Sequence, residues 1–452
     1  MPSTSELRAT VAQQFPEIVE RLSELIKIPS LSTSSADPAP LAHSAEVVRD
    51  MFLDLGCEAQ ILSVPGPDGW QGRPAVVATK IVSESAPTVL LYAHHDVQPG
   101  GEAESWNTSG PFEPEVIGDR LYGRGASDDG AGIMVHYGAL KALAEDLPVN
   151  IKIFIEGEEE SGSPSFKNFV KTYQAELAAD VIIVCDSENW KVGTPAITAS
   201  LRGVVTQTVT LKVLDHAVHS GMYGGPIVDA ATCAARLVAT LHDDNGAVAV
   251  AGLDQAYETE LDYPEDELRE TAGVVPSYQL TGKGSLASRL WQQPAISLIG
   301  MDITNVANSS NTIIPSATFV LSMRVAPTQT PESAREALLT HLTENVPFGA
   351  EIEFGEYDLG PGFNAKFDTK SMENLSWALA AAWETDPVVI GMGGSIPFIS
   401  DFAEVFPQAD VLVTGVEDPM TNAHSENESQ SLPDLQNAIL AETLLLQRLA
   451  EK

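Results

Sequence analysis

Imidazole and carboxylate side chains follow the short apolar segments of this sequence, and these are the groups that could carry out chemistry. The segments TVLLYA, NIKIFIE and VIIVC are followed by His94, by glutamates at 158–160 and by Asp186, and DVLVTG is followed further along by His424. Asp128 stands at the start of another apolar segment. Since parallel strands bring the loops at their carboxyl ends to one edge of a sheet, we expect these groups to lie close together.

Two histidines and several carboxylates, with no cysteine among them, are typical of a site for Zn, Mn or Co. One divalent ion takes three or four protein ligands, but this set has five candidates: His94, Asp128, Glu160, Asp186 and His424. Five ligands predict a bridged pair of ions about 3.5 to 4 Å apart, with Zn preferred and Mn or Co as alternatives. Such a pair activates water and stabilises the oxyanion that forms at a carbonyl.

The residues beside these candidates could assist them. Strand alternation turns His94 and Asp96 to one side and His95 to the other. The Asp96 carboxylate can then hold the second ring nitrogen of His94. Within the run 158–160, one glutamate can bind metal while an unbound neighbour takes a proton from water.

The order of the apolar segments predicts two domains. The segments from PAVVATKI to ADVIIVC alternate with helical stretches, which is typical of a mostly parallel α/β sheet. After Arg202 the order β-α-β-β-α-β predicts a separate α+β domain, and from about Phe367 the first pattern returns. We therefore expect an α/β domain over residues 1–202 and 367–452, interrupted by an inserted domain over 203–366.

Some helices can be placed from the pattern alone. A helix that begins at Ser5 would carry apolar residues on one face, and Pro29 would end it. A second helix is expected over residues 129–147. Residues 251–288 are acidic and poor in strand pattern, so we expect helices or loops there.

Composition limits the partners and the compartment. The chain has 63 acidic and 25 basic residues, a formal charge of -38 and 44% hydrophobic residues, which indicates a folded, soluble protein. Such an acidic surface would repel nucleic acid and anionic lipid, so we expect neither nucleic acid nor membrane as a partner. Three scattered cysteines, an N-terminal segment without a signal-like apolar run, and no stretch of about 18 apolar residues predict a cytoplasmic protein.

Other enzyme classes find no support in the sequence. Gly123 and Gly125 weakly resemble a dinucleotide-binding loop, but a third glycine is missing and the carboxylates of Asp128 and Asp129 would repel a pyrophosphate. The motifs G-x-S-x-G, H-E-x-x-H and G-x-x-x-x-G-K are absent, so serine hydrolases, zincins and P-loop enzymes are not indicated. We expect several histidines to be ordinary surface or core residues: His43, His136, His216, His242 and His341.

A set of short motifs resembles a known family. In chain order, the strings YAHHDVQP, GRGASDDG, EGEEESGS, HSGMYGGP, SMRV, GGSIP and NAHSEN resemble the motifs of the M20 metallopeptidases, nearest to the branch of the cytosolic nonspecific dipeptidase and carnosinase. The resemblance extends over nearly the whole chain. It implies an α/β catalytic domain with two metal ions, interrupted by a ferredoxin-like lid that usually dimerises, and hence a homodimer.

The resemblance also implies roles for single residues. Among the five metal ligands, Asp128 would bridge the two ions, Glu159 would be the general base and Asp96 would orient His94. His219 in HSGMYGGP resembles a lid histidine that polarises the scissile carbonyl, often in the neighbouring subunit's site. Four residues resemble contacts to the carboxylate of the substrate: Arg324, Ser395, Gly394 and Thr312.

The implied activity is hydrolysis of dipeptides or short peptides by a metal-bridged hydroxide, with Glu159 as the base. An alternative with the same fold is an N-acyl- or N-carbamoyl-amino-acid amidohydrolase, because the same hydroxide attacks any amide. A non-catalytic scaffold would show the loss of a ligand or of the base, and none is lost. One departure from the family is Gly130-Ala131 after the aspartate pair, where Lys-Gly is often found, so that a cation beside the site is missing.

Overall fold

The computed structural model describes residues 2–257, 259, 261–394 and 396–451. Ser395, one of the predicted substrate contacts, lies outside these residues. The chain divides into two compact units: the first contains Met1–Ala199, Ala365–Ile390 and Phe398–Lys452, and the second contains Ser200–Asn364 and Gly391–Pro397.

The strands in the described residues are numbered in chain order. They are β1 (Glu58–Leu62), β2 (Ala75–Lys80), β3 (Thr88–His94), β4 (Glu115–Ile117), β5 (Arg120–Tyr122), β6 (Asn150–Glu156), β7 (Val181–Cys185), β8 (Ala196–Leu201), β9 (Gly203–Lys212), β10 (Val218–His219), β11 (Ala295–Asp302), β12 (Thr312–Ile313), β13 (Ser316–Val325), β14 (Glu351–Gly360), β15 (Phe363–Asn364), β16 (Val388–Met392), β17 (Asp410–Thr414) and β18 (Ser429–Ser431).

The α-helices of the same residues are numbered in the same way. They are α1 (Thr4–Ile26), α2 (Pro38–Asp54), α3 (Gly130–Leu143), α4 (Phe166–Thr172), α5 (Gln174–Leu177), α6 (Ser220–Tyr223), α7 (Ala230–Ala239), α8 (Glu265–Thr271), α9 (Leu286–Trp291), α10 (Pro331–Glu344), α11 (Lys370–Trp383), α12 (Pro397–Val405) and α13 (Leu432–Leu449). No helix within the described part of the chain is both long and apolar enough to cross a membrane.

The sheet of the first unit has the strand order β1-β2-β6-β3-β7-β17-β8. Its central strands β6, β3, β7 and β17 are parallel, and the outer pairs are antiparallel. All five residues of β7 are buried, as expected for a parallel strand with both faces covered. The predicted mostly parallel α/β sheet is confirmed.

Helices cover both faces of this sheet. α1, α2, α3, α11 and α13 share one apolar core with it. On the other face, the rings of Tyr92 and Phe154 pack against Phe166 of α4 and Phe402 of α12. Because both faces are buried, polar loops can gather only at the strand ends.

The two helices placed from the sequence are present with small differences at their ends. The predicted apolar face of α1 is buried and contains Ile18, Leu22, Leu25 and Ile26. Asp129 is the N-cap of α3 and accepts the N–H of Gly132. α3 ends at Leu143 rather than at 147, because Ala144 leaves the helical region with φ 43° and a short 3-10 turn follows.

A buried ion pair joins α3 to α13. His136 Nδ1 lies 2.9 Å from a carboxylate oxygen of Glu442, and His136 Nε2 lies 2.9 Å from the main-chain carbonyl oxygen of Tyr92. Both partners can only accept, so both ring nitrogens donate and the imidazole is positively charged. Burial lowers the pKa of His136, but the charge of Glu442 and the hydrogen bonds outweigh it and raise the pKa above its ordinary value.

Glu442→Gln is expected to lower the free energy of unfolding by about 3 kcal/mol, because it leaves a buried cation without its counter-charge. Because folding raises the pKa of His136, the ion pair contributes fully to the free energy of unfolding below the pKa of histidine in the unfolded chain, about 6.5. This contribution is lost as the pH rises through the pKa of His136 in the folded protein. Urea unfolding should therefore show a larger difference from wild type at about pH 6 than at about pH 9.

A matched control is Glu17→Gln. Glu17 pairs with Lys141 on the same helix α3, but it is half exposed, so its loss should cost less than about 1 kcal/mol. Equal effects of the two substitutions, or an effect of Glu442→Gln that grows with pH, would contradict the buried pair.

The second unit contains a four-stranded antiparallel sheet with the order β11-β13-β9-β14. Alternate residues of β9 and β13 are buried beneath α7 and α10, which form one core with them. The chain order β9-α7-β11-β13-α10-β14 is the predicted β-α-β-β-α-β pattern, and the ferredoxin-like class is confirmed. In the described residues of 251–288, α8 and the start of α9 are joined by loops, as predicted.

Candidate metal centre

The candidate ligands lie at one edge of the sheet of the first unit. His94 is the last residue of β3, Asp186 directly follows β7, and Glu160 lies in the 3-10 turn after β6. Asp128 precedes α3, and His424 lies in the loop between β17 and β18. Since β6, β3, β7 and β17 are parallel neighbours, their carboxyl ends meet at this edge.

The five side chains form two groups of three that share Asp128. The groups are His94, Asp128, Asp186 and Asp128, Glu160, His424, and the ligand atoms within each group lie within 4.8 Å of one another. Asp128 Oδ1 is 3.0 Å from Nε2 of His94, and its Oδ2 is 2.9 Å from Nε2 of His424. One carboxylate oxygen thus faces each histidine, which is the arrangement of a bridging ligand.

The chemistry of this donor set fits two divalent ions. Three of the five ligands are carboxylates that are largely buried together. Burial and the nearby charge of Asp128 raise the pKa of Glu160, and burial with neighbouring carboxylates raises the pKa of Asp186. Bound cations would relieve this repulsion, and a nitrogen and oxygen set without thiolate suits Zn, Mn or Co.

Asp96 supports both His94 and the acidic turn. The main-chain carbonyl oxygen of Asp96 is 3.0 Å from His94 Nδ1, and its Oδ1 is 3.5 Å from the same nitrogen. The Asp96 carboxylate also accepts the N–H groups of Glu159 and Glu160, at 3.1 and 3.0 Å. His95 points to other partners, Ser44 and the carbonyl of Pro74, as strand alternation predicts. When His94 Nδ1 donates to Asp96, the lone pair on His94 Nε2 is available to bind the candidate metal.

The three adjacent glutamates have different surroundings. Glu158 is buried and accepts from Trp70 Nε1 at 2.9 Å and from the N–H of Arg73 at 3.0 Å, so it holds the loop together. Glu160 faces His424, with Nε2 3.2 Å from Oε2. The pattern of the run alone could not separate these roles, because the partners come from distant segments; only the family resemblance distinguished Glu159 from Glu160.

Glu159 stands beside the two groups without a fixed partner. Its carboxylate makes no hydrogen bond or ion pair with any other residue that the structure describes. Burial raises the pKa of Glu159 to about 7, with Glu160 and Asp128 adding to the rise and His94 opposing it. A carboxylate with a pKa near neutrality can take a proton and return it.

The comparison with known proteins now gives the family. The sequence model described as peptidase family M20/M25/M40 matches residues 90–448. The chain belongs to this family. It is therefore a peptidase, and the resemblance predicted from the motifs is confirmed.

Relatives of this M20 chain match it over almost its full length. It is 30% identical over 436 residues to the Cysteinylglycine-S-conjugate dipeptidase of Corynebacterium striatum, covering 95% of this chain and 94% of the relative. It is 28% identical to the Cys-Gly metallodipeptidase dug1 of Schizosaccharomyces pombe, covering 97% and 96%. The crystal structure of human carnosine dipeptidase 1 has a TM-score of 0.76, 23% identity and 100% coverage of both chains, which shows the shared fold.

Of the other residues predicted from the M20 motifs, those that the structure describes lie in the second unit. His219 of β10 pairs with Thr312 of β12, and its Nδ1 accepts the N–H of Gly221 at 3.0 Å. In the neutral ring the proton is then on Nε2, which can donate. Arg324 lies on β13, and Gly394 is exposed. The first unit thus brings together the five ligands, Asp96 and Glu159, whereas these residues belong to the second unit.

Residues that contact the ligand loops of this M20 chain were missed in the sequence. Gln98 Nε2 donates to Glu160 Oε2 at 2.8 Å. Arg124 donates to Glu428, and Glu428 also accepts the N–H of Asp128. The motif strings include Gln98 and Arg124, but no spacing rule separates such residues from ordinary loop residues.

Metal binding is expected to release protons. Hydrogen bonds to Asp128 and Glu160 raise the pKa of His424 to about 11, so its ring is protonated at pH 7 before metal binds. The ring must lose this proton to become a ligand, so apparent metal affinity should rise with pH across the neutral range. Calorimetric titration of metal-free protein with Zn²⁺ in buffers of different ionisation enthalpy measures the number of protons released.

His424→Asn should release about one proton fewer than wild type and bind one ion more weakly. The exposed His43, which lies outside the site, provides the control His43→Asn, with unchanged proton release. Equal proton release by wild type and His424→Asn would contradict the assignment of His424.

Proposed function

We propose that the protein is a metal-dependent dipeptidase, which hydrolyses dipeptides or short peptides with a free carboxyl terminus. The observation that carries this proposal is the position of Asp128 between two ligand groups, beside the unpaired carboxylate of Glu159. Relatives named as dipeptidases and aligned over nearly the whole chain support the substrate class. We also propose that the first unit is the catalytic domain and the second is the lid.

Two divalent ions, with Zn preferred and Mn or Co as alternatives, would lower the pKa of water towards about 7 and polarise the substrate carbonyl. His94 and Asp186 would hold one of them, His424 and Glu160 the other, and Asp128 both. Glu159 would take the proton of the attacking water and then give it to the leaving amine. Asp96 would keep the ring of His94 and the turn of Glu159 in place.

The residues of the second unit would act on the rest of the substrate. In this proposal Nε2–H of His219 donates to the carbonyl oxygen as negative charge develops there. The guanidinium of Arg324, with Thr312, Gly394 and Ser395, binds the terminal carboxylate, which Arg can bind through two parallel hydrogen bonds. The resemblance to the family motifs supports these roles.

We further propose a cytoplasmic homodimer that forms through the second unit. β11 lies at the edge of its sheet and exposes Leu298 and Ile299, and Ile303 and Val306 beyond it are also exposed. Exposed apolar edge strands are commonly covered by a partner. Three buried free cysteines are compatible with a reducing compartment. A monomer in sedimentation would count against the dimer.

The alternative activity is hydrolysis of N-acyl- or N-carbamoyl-amino acids. The decisive experiment compares kcat/KM for a panel of dipeptides with kcat/KM for acetylated and carbamoylated amino acids, at saturating metal. We expect dipeptides to be preferred and their C-terminal amides to be poor substrates. Preference for the acylated or carbamoylated amino acids would overturn the dipeptidase proposal and favour the alternative.

A further inference from the structure

One carboxylate outside the ligand set gathers the main-chain N–H groups of the loop before α3. Glu428 is fully buried, with 0% exposure. Its Oε1 accepts the N–H groups of Ser127 and Asp128 at 3.0 and 3.1 Å. Its Oε2 accepts the N–H of Gly125 at 3.0 Å and Nη1 of Arg124 at 2.6 Å. Both oxygens of Glu428 are therefore fully engaged by the loop that carries Asp128.

The partner of this carboxylate reaches the other ligand loop. Arg124 is also buried, and its Nη2 donates to the main-chain carbonyl oxygens of Ser425 at 3.1 Å and Pro99 at 3.2 Å. Ser425 directly follows His424, and Glu428 lies three residues further on. The Arg124–Glu428 pair thus connects the loop of Asp128 to the loop of His424 from both sides.

The loop of His424 needs such external contacts. His424 has a φ of 62°, and Asn422 and Asn427 on either side have φ values of 56° and 66°. Asn and His adopt this left-handed region more readily than other residues with a Cβ atom, but it is uncommon even for them, and three such residues in one loop cost conformational energy. Tertiary contacts help to offset this cost, and Arg124 and Glu428 supply such contacts from within the core.

We propose that Glu428 and Arg124 are positioning residues that hold Asp128 and His424 in place before any ion binds. This inference rests on the proposed function, because the proposed function makes Asp128 the ligand that both ions share. A change in the backbone direction of Asp128 would misplace one oxygen for each ion. Loss of the clamp formed by Glu428 and Arg124 should therefore weaken both ions together, whereas loss of an unshared ligand weakens one.

The test measures metal affinity rather than turnover. Glu428→Gln replaces an acceptor oxygen with an N–H₂ donor that must face N–H groups or Arg124. We expect the affinity for both ions to fall by about 10- to 100-fold, as found for other residues that support metal ligands. Competition with a chromophoric chelator for Zn²⁺ gives the two constants, at a temperature where circular dichroism shows that each variant is folded.

Glu442→Gln is the matched control. It also removes a buried carboxylate from a cationic partner, His136, but among the described residues Glu442 makes no hydrogen bond or ion pair with the loops of Asp128 or His424. We expect it to lower stability without changing metal affinity. If Glu442→Gln weakens metal binding as much as Glu428→Gln, the loss of metal affinity reflects lower global stability. The proposal that Glu428 and Arg124 position the ligands would then be overturned.

Arg124→Lys is a second variant. It keeps the positive charge but loses the guanidinium hydrogen bonds to the main-chain carbonyl oxygens of Ser425 and Pro99. We expect it to weaken chiefly the ion held by Glu160 and His424, because the loop of Ser425 is released. If Glu428→Gln and Arg124→Lys both bind the two ions with wild-type affinity, this inference is overturned, but the proposed function is not. A wild-type protein that binds no divalent ion would overturn the proposed function and this inference with it.

Discussion

Glu159→Gln is expected to lower kcat for a dipeptide by about three orders of magnitude while both ions remain bound. Glutamine has the same shape but cannot accept a proton, and Glu159 belongs to neither group of ligands. The measurement is kcat together with the metal content of the same sample. The residual activity should also lack the increase with pH that comes from deprotonation of the base.

Glu145→Gln is a suitable control, since Glu145 is an exposed glutamate in the turn after α3. It should retain wild-type turnover and metal content. Retained turnover in Glu159→Gln would remove Glu159 from the mechanism, and loss of metal from it would identify Glu159 as a ligand instead.

Asp128→Asn is expected to lower the affinity for both ions and to reduce kcat/KM by about a thousandfold or more. Asp128 faces both histidines, with one oxygen 3.0 Å from His94 Nε2 and the other 2.9 Å from His424 Nε2. The neutral amide offers one oxygen and removes the charge that the two ions share. Metal content after dialysis and kcat/KM across metal concentrations measure the two effects.

Asp186→Asn is the matched comparison, because Asp186 belongs to only one of the two groups. It should weaken one ion and leave the other bound. If Asp128→Asn binds two ions as tightly as wild type, Asp128 is not the bridging ligand.

The positions of the candidate ligands could be predicted because they depend on features that the sequence carries directly. The apolar segments that become β3, β6, β7 and β17 end just before His94, the glutamate run and Asp186, or lead towards His424. In a sheet with parallel central strands, these ends lie side by side. The alternation that separates His94 and Asp96 from His95 follows from strand geometry in the same way.

The roles of chemically identical neighbours could not be predicted from pattern. Glu158 and Glu159 are adjacent and have the same side chain, but Trp70 and Arg73 bind the first and no described residue binds the carboxylate of the second. The buried position of Glu428 depends on contacts with residues about 300 positions away, as the separation of 300 between Glu428 and Asp128 shows. Neither local propensity nor motif spacing contains this information.

The central claim is that two divalent ions, held through Asp128, make this chain a dipeptidase. Titration of metal-free protein with Zn²⁺, with the initial rate of dipeptide hydrolysis followed at each step, tests it most directly. We expect no hydrolysis without metal and a rate that reaches its plateau at two ions per chain. Full activity without metal, a plateau at one ion, or no activity with both ions bound would contradict the claim.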